Sequence, residues 1–443
     1  HADGSRETYA YEARTSRLRQ RTDPLGQIAS RTYTKDDRPA TLTYGNTLNP
    51  TPAVSFTYDP YFPRLTALTD GNGTTAYTYV PTGTAGALQL ASEDGPFGND
   101  TLTYTYDVLG RLQMRNIAGA AETFTYDTLG RLTTHIAPLG IFSLSYLGAT
   151  NQLAHRGLAG YVQTWTTDWR YADNLHDRRL AAIDHSQRPN QPAARDYAYT
   201  TDPGNRILGL TESGAGTPTR TWTYGYDPAD RLTTALANPG GAYGYTLDPA
   251  DNLLGIQTPT TAATTTYDNL NRIDRRNAQA FTWDAAGNLT DDGTRTYAWD
   301  AEQRLIRIRY TGTSKSTQFR YDGLGRRTAI RESSDGSTYT ETRYLWCGER
   351  ICQARNGSDT VIRRYYDEGE QLVAANGTTS YFYAQDHLGS VRDLVDAAGT
   401  VFASYDYDPY GNPTRVSETG GVRADYRYAG LFQHAPSGLY LTH

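Results

Sequence analysis

A nine-residue stretch that recurs after 20 residues constrains the fold of this chain most strongly. Residues 104–112 read YTYDVLGRL, and residues 124–132 read FTYDTLGRL. Such a repeat indicates an array of one supersecondary unit rather than unrelated domains. The aspartate of the unit recurs, in varied contexts, at Asp23, Asp107, Asp127, Asp202, Asp227, Asp248, Asp268, Asp284, Asp300, Asp322, Asp386 and Asp408.

The segment before each aspartate has the pattern of a β-strand. Aromatic residues alternate with small residues or Thr, which places the rings on one face of an extended chain. Tyr, Phe, Trp and Thr all favour strands. The clearest pairs are Tyr104/Tyr106, Phe124/Tyr126, Phe281/Trp283, Tyr297/Trp299 and Phe319/Tyr321.

The aspartate and the residue three positions later predict a tight turn. An Asp side chain accepts hydrogen bonds from backbone N–H groups two residues on. The later position is held by Gly26, Gly110, Gly130, Asn205, Asp230, Asp251, Asn271, Gly287, Gln303, Gly325, Gly389 and Gly411. Gly, Asn and Asp tolerate positive φ, as a type I turn closed by a left-handed residue requires. The repeated carboxylates are therefore interpreted as turn formers, and the following Arg as a partner of turn carboxylates and Tyr rings.

Composition limits the other functions that the chain can have. The chain has 36 Tyr residues but a single Met, and its mean hydropathy is −0.65. Tyr is therefore expected to supply buried area while its hydroxyl is hydrogen-bonded or solvated. A net charge of −6 without any basic run argues against nucleic acid. No apolar run is long enough to predict a membrane span.

Motifs of common catalytic and metal sites are absent from the sequence, so no cofactor and no metal are predicted. The neighbouring Asp386 and His387 allow acid–base chemistry, but a structural role is the favoured interpretation. Cys347 and Cys352 do not match a zinc or thioredoxin spacing. Two reduced, half-buried thiols are expected, with a disulfide as the alternative.

The pattern predicts an all-β fold in which tandem hairpins form one long antiparallel sheet over residues 1–443. Copies are degenerate over residues 136–200, where Pro189 and Pro192 mark the expected insertion or surface loop. Because strands twist with a fixed hand, so long a ribbon must coil. It is then hollow, spirally wound or packed on another body.

These motifs resemble the RHS/YD-repeat family. The resemblance rests on the units at residues 106–112 and 126–132, on DHLGSVR at residues 386–392, on YDPYG at residues 407–411, and on residues 428–440. It implies a hollow β-shell that encloses a toxic C-terminal polypeptide and is exported from bacteria, for instance by type VI secretion, to the medium or the cell surface. Residues 365–443 then correspond to the C-terminal portion of the core.

The family's self-cleaving segment has no counterpart before His443, so no cleavage residues are assigned and no enzymatic activity is expected. The partners implied are a toxin polypeptide, remaining shell segments and a secretion-apparatus protein. The alternative is an extracellular adhesion module that binds carbohydrate or protein through exposed aromatics such as Trp165 and Trp169.

Overall fold

The computed structural model describes residues 4–159, 165–186, 194–214 and 217–442. The helical elements in these ranges are two 3₁₀ turns, Asn174–His176 and Tyr428–Gly430. None of the helices in the described ranges is long and apolar enough to cross a membrane. The loop predicted around Pro189 and Pro192 lies outside the described residues.

The chain forms two compact units, and each unit combines two separate stretches of sequence. Unit 1 comprises residues 1–119 and 264–362, and unit 2 comprises residues 120–263 and 363–442. We call the earlier stretch of each unit its first row and the later stretch its second row.

The first rows consist of consecutive strands. In unit 1 the strands are β1 (Thr8–Tyr11), β2 (Leu18–Thr22), β3 (Ile28–Tyr33), β4 (Pro39–Gly45), β5 (Val54–Tyr58), β6 (Leu65–Asp70), β7 (Gly73–Tyr79), β8 (Leu90–Asp94), β9 (Leu102–Tyr106) and β10 (Leu112–Ile117). In unit 2 they are β11 (Ala120–Tyr126), β12 (Leu132–Ala137), β13 (Gly140–Tyr146), β14 (Leu153–Ala159), β15 (Thr166–Tyr171), β16 (Leu180–Ser186), β17 (Arg195–Thr201), β18 (Ile207–Gly214), β19 (Thr217–Tyr226), β20 (Leu232–Asn238), β21 (Gly241–Leu247) and β22 (Leu253–Gln257).

The second rows continue the same pattern. In unit 1 the strands are β23 (Ala262–Tyr267), β24 (Ile273–Arg276), β25 (Gln279–Ala280), β26 (Thr282–Trp283), β27 (Leu289–Asp291), β28 (Arg295–Trp299), β29 (Leu305–Tyr310), β30 (Ser316–Tyr321), β31 (Arg327–Ser333), β32 (Thr340–Cys347) and β33 (Arg350–Asn356). In unit 2 they are β34 (Val361–Tyr366), β35 (Gly369–Ala374), β36 (Gly377–Gln385), β37 (Val391–Val395), β38 (Val401–Tyr407), β39 (Pro413–Glu418), β40 (Phe432–His434) and β41 (Leu439–Leu441).

Within each sheet the strands pair antiparallel with their sequence neighbours, and separate sheets begin at β26 and β40. Each Tyr-Asp hairpin contains a bulge beside the aromatic residue. In β11 and β12, Thr125 lies opposite Thr134, whereas Tyr126 lies opposite Leu132. One extra residue therefore enters the return strand, as expected for a type I turn closed by a left-handed residue. The predicted all-β fold of tandem antiparallel hairpins is confirmed.

Because the strands are antiparallel, successive connections lie at opposite ends of the strands. Each row therefore has two edges, which we call the turn edge and the connection edge. In the first row of unit 1, the turn edge carries the connections at residues 12–17, 34–38, 59–64, 80–89 and 107–111. Its connection edge carries residues 23–27, 46–53, 71–72 and 95–101. In the other rows, the turn edge is likewise the edge that bears the Tyr-Asp turns.

Each unit has its own core, and Tyr contributes to it directly. In unit 1, Val54, Leu68 and Ile308 are among the buried residues. In unit 2, Tyr197 and Tyr405 are fully enclosed. A chain with low mean hydropathy thus forms a core because Tyr supplies ring area and bonds its hydroxyl elsewhere.

Candidate functional site

The repeated aspartate closes its turn with three hydrogen bonds. The Oδ1 atom of Asp127 accepts from the N–H groups of Leu129 and Arg131, each at 2.9 Å. Its Oδ2 atom accepts from Nε of Arg131 at 2.8 Å. The backbone bond from Arg131 and the adjacent guanidinium lower the pKa of Asp127, although partial desolvation acts in the opposite direction.

Backbone conformation at the last turn position is the same in all twelve copies. Every residue there has positive φ, from 58° at Asn271 to 88° at Gly287. Gln303 also adopts this conformation, at 59°, although its side chain does not favour it. The turn geometry therefore depends on the whole hairpin and not only on the residue at this position.

Where an aromatic residue precedes the repeat Asp, its ring bonds to the preceding hairpin in the copies described next, a role that the strand pattern did not predict. The hydroxyl of Tyr106 donates to the carbonyl of Leu90 at 2.8 Å, and that of Tyr321 donates to Leu305 at 2.8 Å. In Trp299 the indole Nε1–H performs the same function, bonding Leu289 at 2.7 Å. Trp thus replaces Tyr at this position because both rings carry a donor at the tip.

The Arg of the repeat contacts an aromatic ring of the next hairpin. The guanidinium carbon of Arg131 lies 4.6 Å from the ring centroid of Tyr146, and that of Arg304 lies 5.1 Å from Tyr321. Each Arg therefore joins its own turn carboxylate to the next repeat by an ion pair and a cation–π contact.

The Asp386–Arg392 motif lies in a buried charge network of unit 2. Asp386 closes its turn through Leu388 and Ser390 at 3.0 Å each, and its Oδ2 atom accepts from Arg392 at 3.3 Å. Arg392 also donates to Glu212 at 2.9 Å. Burial lowers the pKa of His387, which keeps its ring neutral.

The charges in this network already have partners. Arg195 donates to Asp406 at 2.6 Å, and Arg415 donates to the same carboxylate at 2.8 Å. Although burial alone would raise the pKa of Asp406, the guanidinium groups of Arg415, Arg195 and Arg392 lower it. This arrangement fixes strands that are far apart in sequence.

A second buried cluster in unit 2 centres on His135. Its Nε2 atom lies 3.0 Å from Oε2 of Glu122, and its Nδ1 atom lies 3.1 Å from Oε2 of Glu368. The ring stacks on Phe124 with centroids 4.9 Å apart. Burial disfavours the charged ring, but the two carboxylates outweigh burial and raise the pKa of His135 to about 9. Phe124 thus supports a buried ion triad, which its place in the repeat did not reveal.

The structure corrects two expectations for individual side chains. Cys347 and Cys352 form a disulfide, so the interpretation as reduced, half-buried thiols was wrong. The hairpin of β32 and β33 holds their Cα atoms 5.9 Å apart, and both residues are buried. Trp165 is also buried, 6% exposed, and stacks on His185, because its strand end turns the indole into the core.

Within the described ranges, no group of three His, Cys, Asp or Glu side chains is placed to hold a metal ion. The repeat carboxylates are engaged in turns that are spaced along the rows. The arrangement is therefore that of a scaffold, in which each repeat bonds to the preceding and following hairpins.

Comparison with known proteins places this scaffold among related repeats. Residues 206–433, just over half of the chain, match the family model described as Teneurin YD-shell. The tRNA3(Ser)-specific nuclease WapA of Bacillus spizizenii is 28% identical over 225 residues, which cover 48% of this chain and 9% of that protein. Double-stranded DNA deaminase toxin A of Burkholderia cenocepacia is 26% identical over 242 residues, covering 45% of this chain and 16% of that protein.

The crystal structure of TcdB2-TccC3 has the same fold. It superposes with a TM-score of 0.78 at 17% identity, over 99% of this chain and 26% of that chain. The chain thus spans about a quarter of the solved protein and still less of the two sequence relatives.

Proposed function

Because the chain belongs to the Teneurin YD-shell family, we propose that it is a segment of a β-shell that encloses a toxic polypeptide and serves in its delivery. The observation that carries this proposal is the array of hairpins over the described residues, which has the fold of TcdB2-TccC3. Two sequence relatives are a nuclease and a deaminase toxin, and this chain matches only small parts of them.

In this proposal the repeat residues build the wall and carry out no reaction. The Asp, Gly and Arg of each turn fix the hairpin, and the Tyr or Trp before the Asp joins it to the preceding hairpin. The clusters around His135 and Arg392 hold the two rows of unit 2 together. The partners are the enclosed polypeptide and other shell segments, and the protein is exported from a bacterium.

Solution scattering tests the proposal. Small-angle X-ray scattering, with molecular mass determined from the same sample, is expected to give a distance distribution skewed to long distances, as a wall around a space requires. A compact or rod-like profile at monomer mass would count against a shell segment. A glycan array provides the comparison with an adhesion module, and the shell proposal predicts no binding that depends on Trp169.

A further inference from the structure

Inside unit 1, the connection edge of the first row binds a turn of the second row by hydrogen bonds to two backbone groups. We call a turn that is held in this way a gripped turn. Nδ2 of Asn49 donates to the carbonyl of Trp299 at 2.8 Å. The N–H of Ala301 donates to Oγ1 of Thr51 at 3.0 Å. Trp299 and Ala301 flank Asp300, so the contact grips the backbone on either side of the repeat aspartate.

The next repeat of unit 1 has the same contact. Nδ2 of Asn72 donates to the carbonyl of Tyr321 at 2.9 Å, and the N–H of Gly323 donates to Oδ2 of Asp70 at 2.6 Å. The gripped groups are again the carbonyl before the repeat aspartate, Asp322, and the N–H after it.

A third copy lies in unit 2, built from different side chains. Nε2 of His185 lies 2.8 Å from the carbonyl oxygen of Gln385 and 3.1 Å from the backbone nitrogen of the same residue. The N–H of His387 donates to the hydroxyl of Tyr199 at 3.3 Å. In unit 1 the two-point contact is thus the mode by which a connection edge binds a turn edge, and in unit 2 the strand residues His185 and Tyr199 hold the same two backbone groups of a turn.

The two gripped turns of unit 1 are more enclosed than the turn at Asp107 in the same unit. The side chains of Asp300 and Asp322 are 2% and 8% exposed, whereas that of Asp107 is 18% exposed. Asp107 lies on the turn edge of the first row of unit 1, and the next residue, Val108, is 91% exposed. Tyr106 and Val108 occupy the positions of Trp299 and Ala301 around their own aspartate.

Apolar side chains cluster at this part of the turn edge. Tyr61 is 86% exposed, Leu88 40% and Leu109 73%. The turns that bear them are neighbours, because Arg64 donates to the carbonyl of Leu88 at 3.3 Å and Gln89 donates to that of Gly110 at 2.7 Å. Grouped exposed apolar residues mark an interaction surface more often than single ones do.

We propose that this surface, formed by residues 59–64, 80–89 and 107–111, binds the connection edge of a further row of Tyr-Asp hairpins. The carbonyl of Tyr106 and the N–H of Val108 are the gripped groups. The partner supplies short Asn, Asp, Thr or Ser side chains, as Asn49 and Thr51 do. Val fits the position after the aspartate, since a residue as large as His387 is accepted there.

This inference rests on the proposed shell role, because a shell larger than this chain needs rows that stack beyond it. The chain also carries a connection edge of the required chemistry. Residues 311–314 and 335–338 of the second row of unit 1 are exposed and rich in Thr and Ser. In a solution of this chain alone, a second copy can therefore supply the further row, and head-to-tail association of this kind does not close on itself.

Sedimentation equilibrium of the purified chain over a concentration series tests the proposal. Reversible association is expected, with masses that continue to increase beyond the dimer. Val108→Pro removes one gripped N–H and keeps the turn, since Pro203, Pro228 and Pro249 already follow repeat aspartates. It is expected to weaken association about fivefold, as loss of one hydrogen bond implies. Adding Leu109→Glu is expected to abolish association.

Ala285→Pro is the matched control, because it places Pro at the same turn position in the second row and should associate like the wild type. A wild-type chain that stays monomeric up to its solubility limit would overturn the proposal, and so would a Val108→Pro variant that associates as the wild type does. Association is measured without cargo. A chain that associates but encloses no polypeptide would therefore reject the shell role and leave the row interface in place.

Discussion

The buried triad at His135 should make the stability of unit 2 depend on alkaline pH. The ring is 4% exposed and lies between Glu122 and Glu368, with Arg156 also acting on Glu368. A His that is protonated in the fold gives up a proton when unfolding returns its pKa to the usual value of 6.5. Its contribution is therefore complete below pH 6.5, and it is lost as pH rises through about 9.

The size of the effect follows from these two values. Raising the pKa of His135 from 6.5 to about 9 corresponds to about 3 kcal/mol of folding free energy.

Urea unfolding of the wild type and of His135→Gln at pH 6 and pH 10 provides the test. The stability difference between the two proteins should fall by about 3 kcal/mol from the lower to the higher pH. Lost packing adds a constant to the difference at both pH values and does not imitate this trend. His155→Gln is the control, because it removes a half-exposed pair with Asp168 that solvent screens, and its stability difference should change less between the two pH values. An unchanged His135 difference at the two pH values would refute the reasoning.

Three further outcomes are expected. Gly325→Ala should cost about 1–2 kcal/mol, because φ is 85° and the new methyl meets open space, whereas Gly325→Asn should cost less. Tyr321→Phe should cost about 1 kcal/mol, because the Leu305 carbonyl loses its donor. The stability of the wild type relative to His185→Gln should fall by about 3 kcal/mol as pH drops from 6.5 to 4, because burial lowers the pKa of His185 to about 4.

Denaturant unfolding measures the first two changes, and a pH series measures the third. Equal costs for the Ala and Asn variants would show that backbone strain is not the reason for Gly. A Tyr321→Phe variant as stable as the wild type would mean that the bond between hairpins contributes nothing. If the stability difference between the wild type and His185→Gln does not change between pH 6.5 and pH 4, the ring of His185 does not stay neutral in the fold.

Local features were predictable from the sequence because they depend on residues close together in the chain. The strand–turn–strand unit, the Asp at the turn and the residue able to adopt positive φ lie within nine residues. Gln303 was the exception in the pattern, yet it has the same conformation as Gly110. The hairpin imposes that conformation through its other bonds.

Contacts between rows were not predictable, because the repeats are nearly alike and nothing local specifies which repeats meet. Asn49 binds Trp299 across 250 residues, and His135 binds Glu368 across 233. The disulfide depended on the register of one hairpin, which spacing alone does not give. The bond from Tyr106 to Leu90 had a signal in retrospect, namely the consistent choice of an aromatic with a donor at its tip.

Shelter of a polypeptide is the central claim, and protease protection measures it most directly. An unfolded polypeptide with many cleavage sites is fused to the chain and digested with a protease, beside the same polypeptide alone. Cleavage of the hairpin rows themselves is measured in the same samples. Because the chain is a segment of the wall, the account predicts slower cleavage of the fused polypeptide than of the free polypeptide while the hairpin rows stay intact, and equal rates after urea opens the rows. Cleavage of the fused and the free polypeptide at the same rate, with the rows intact, would contradict it.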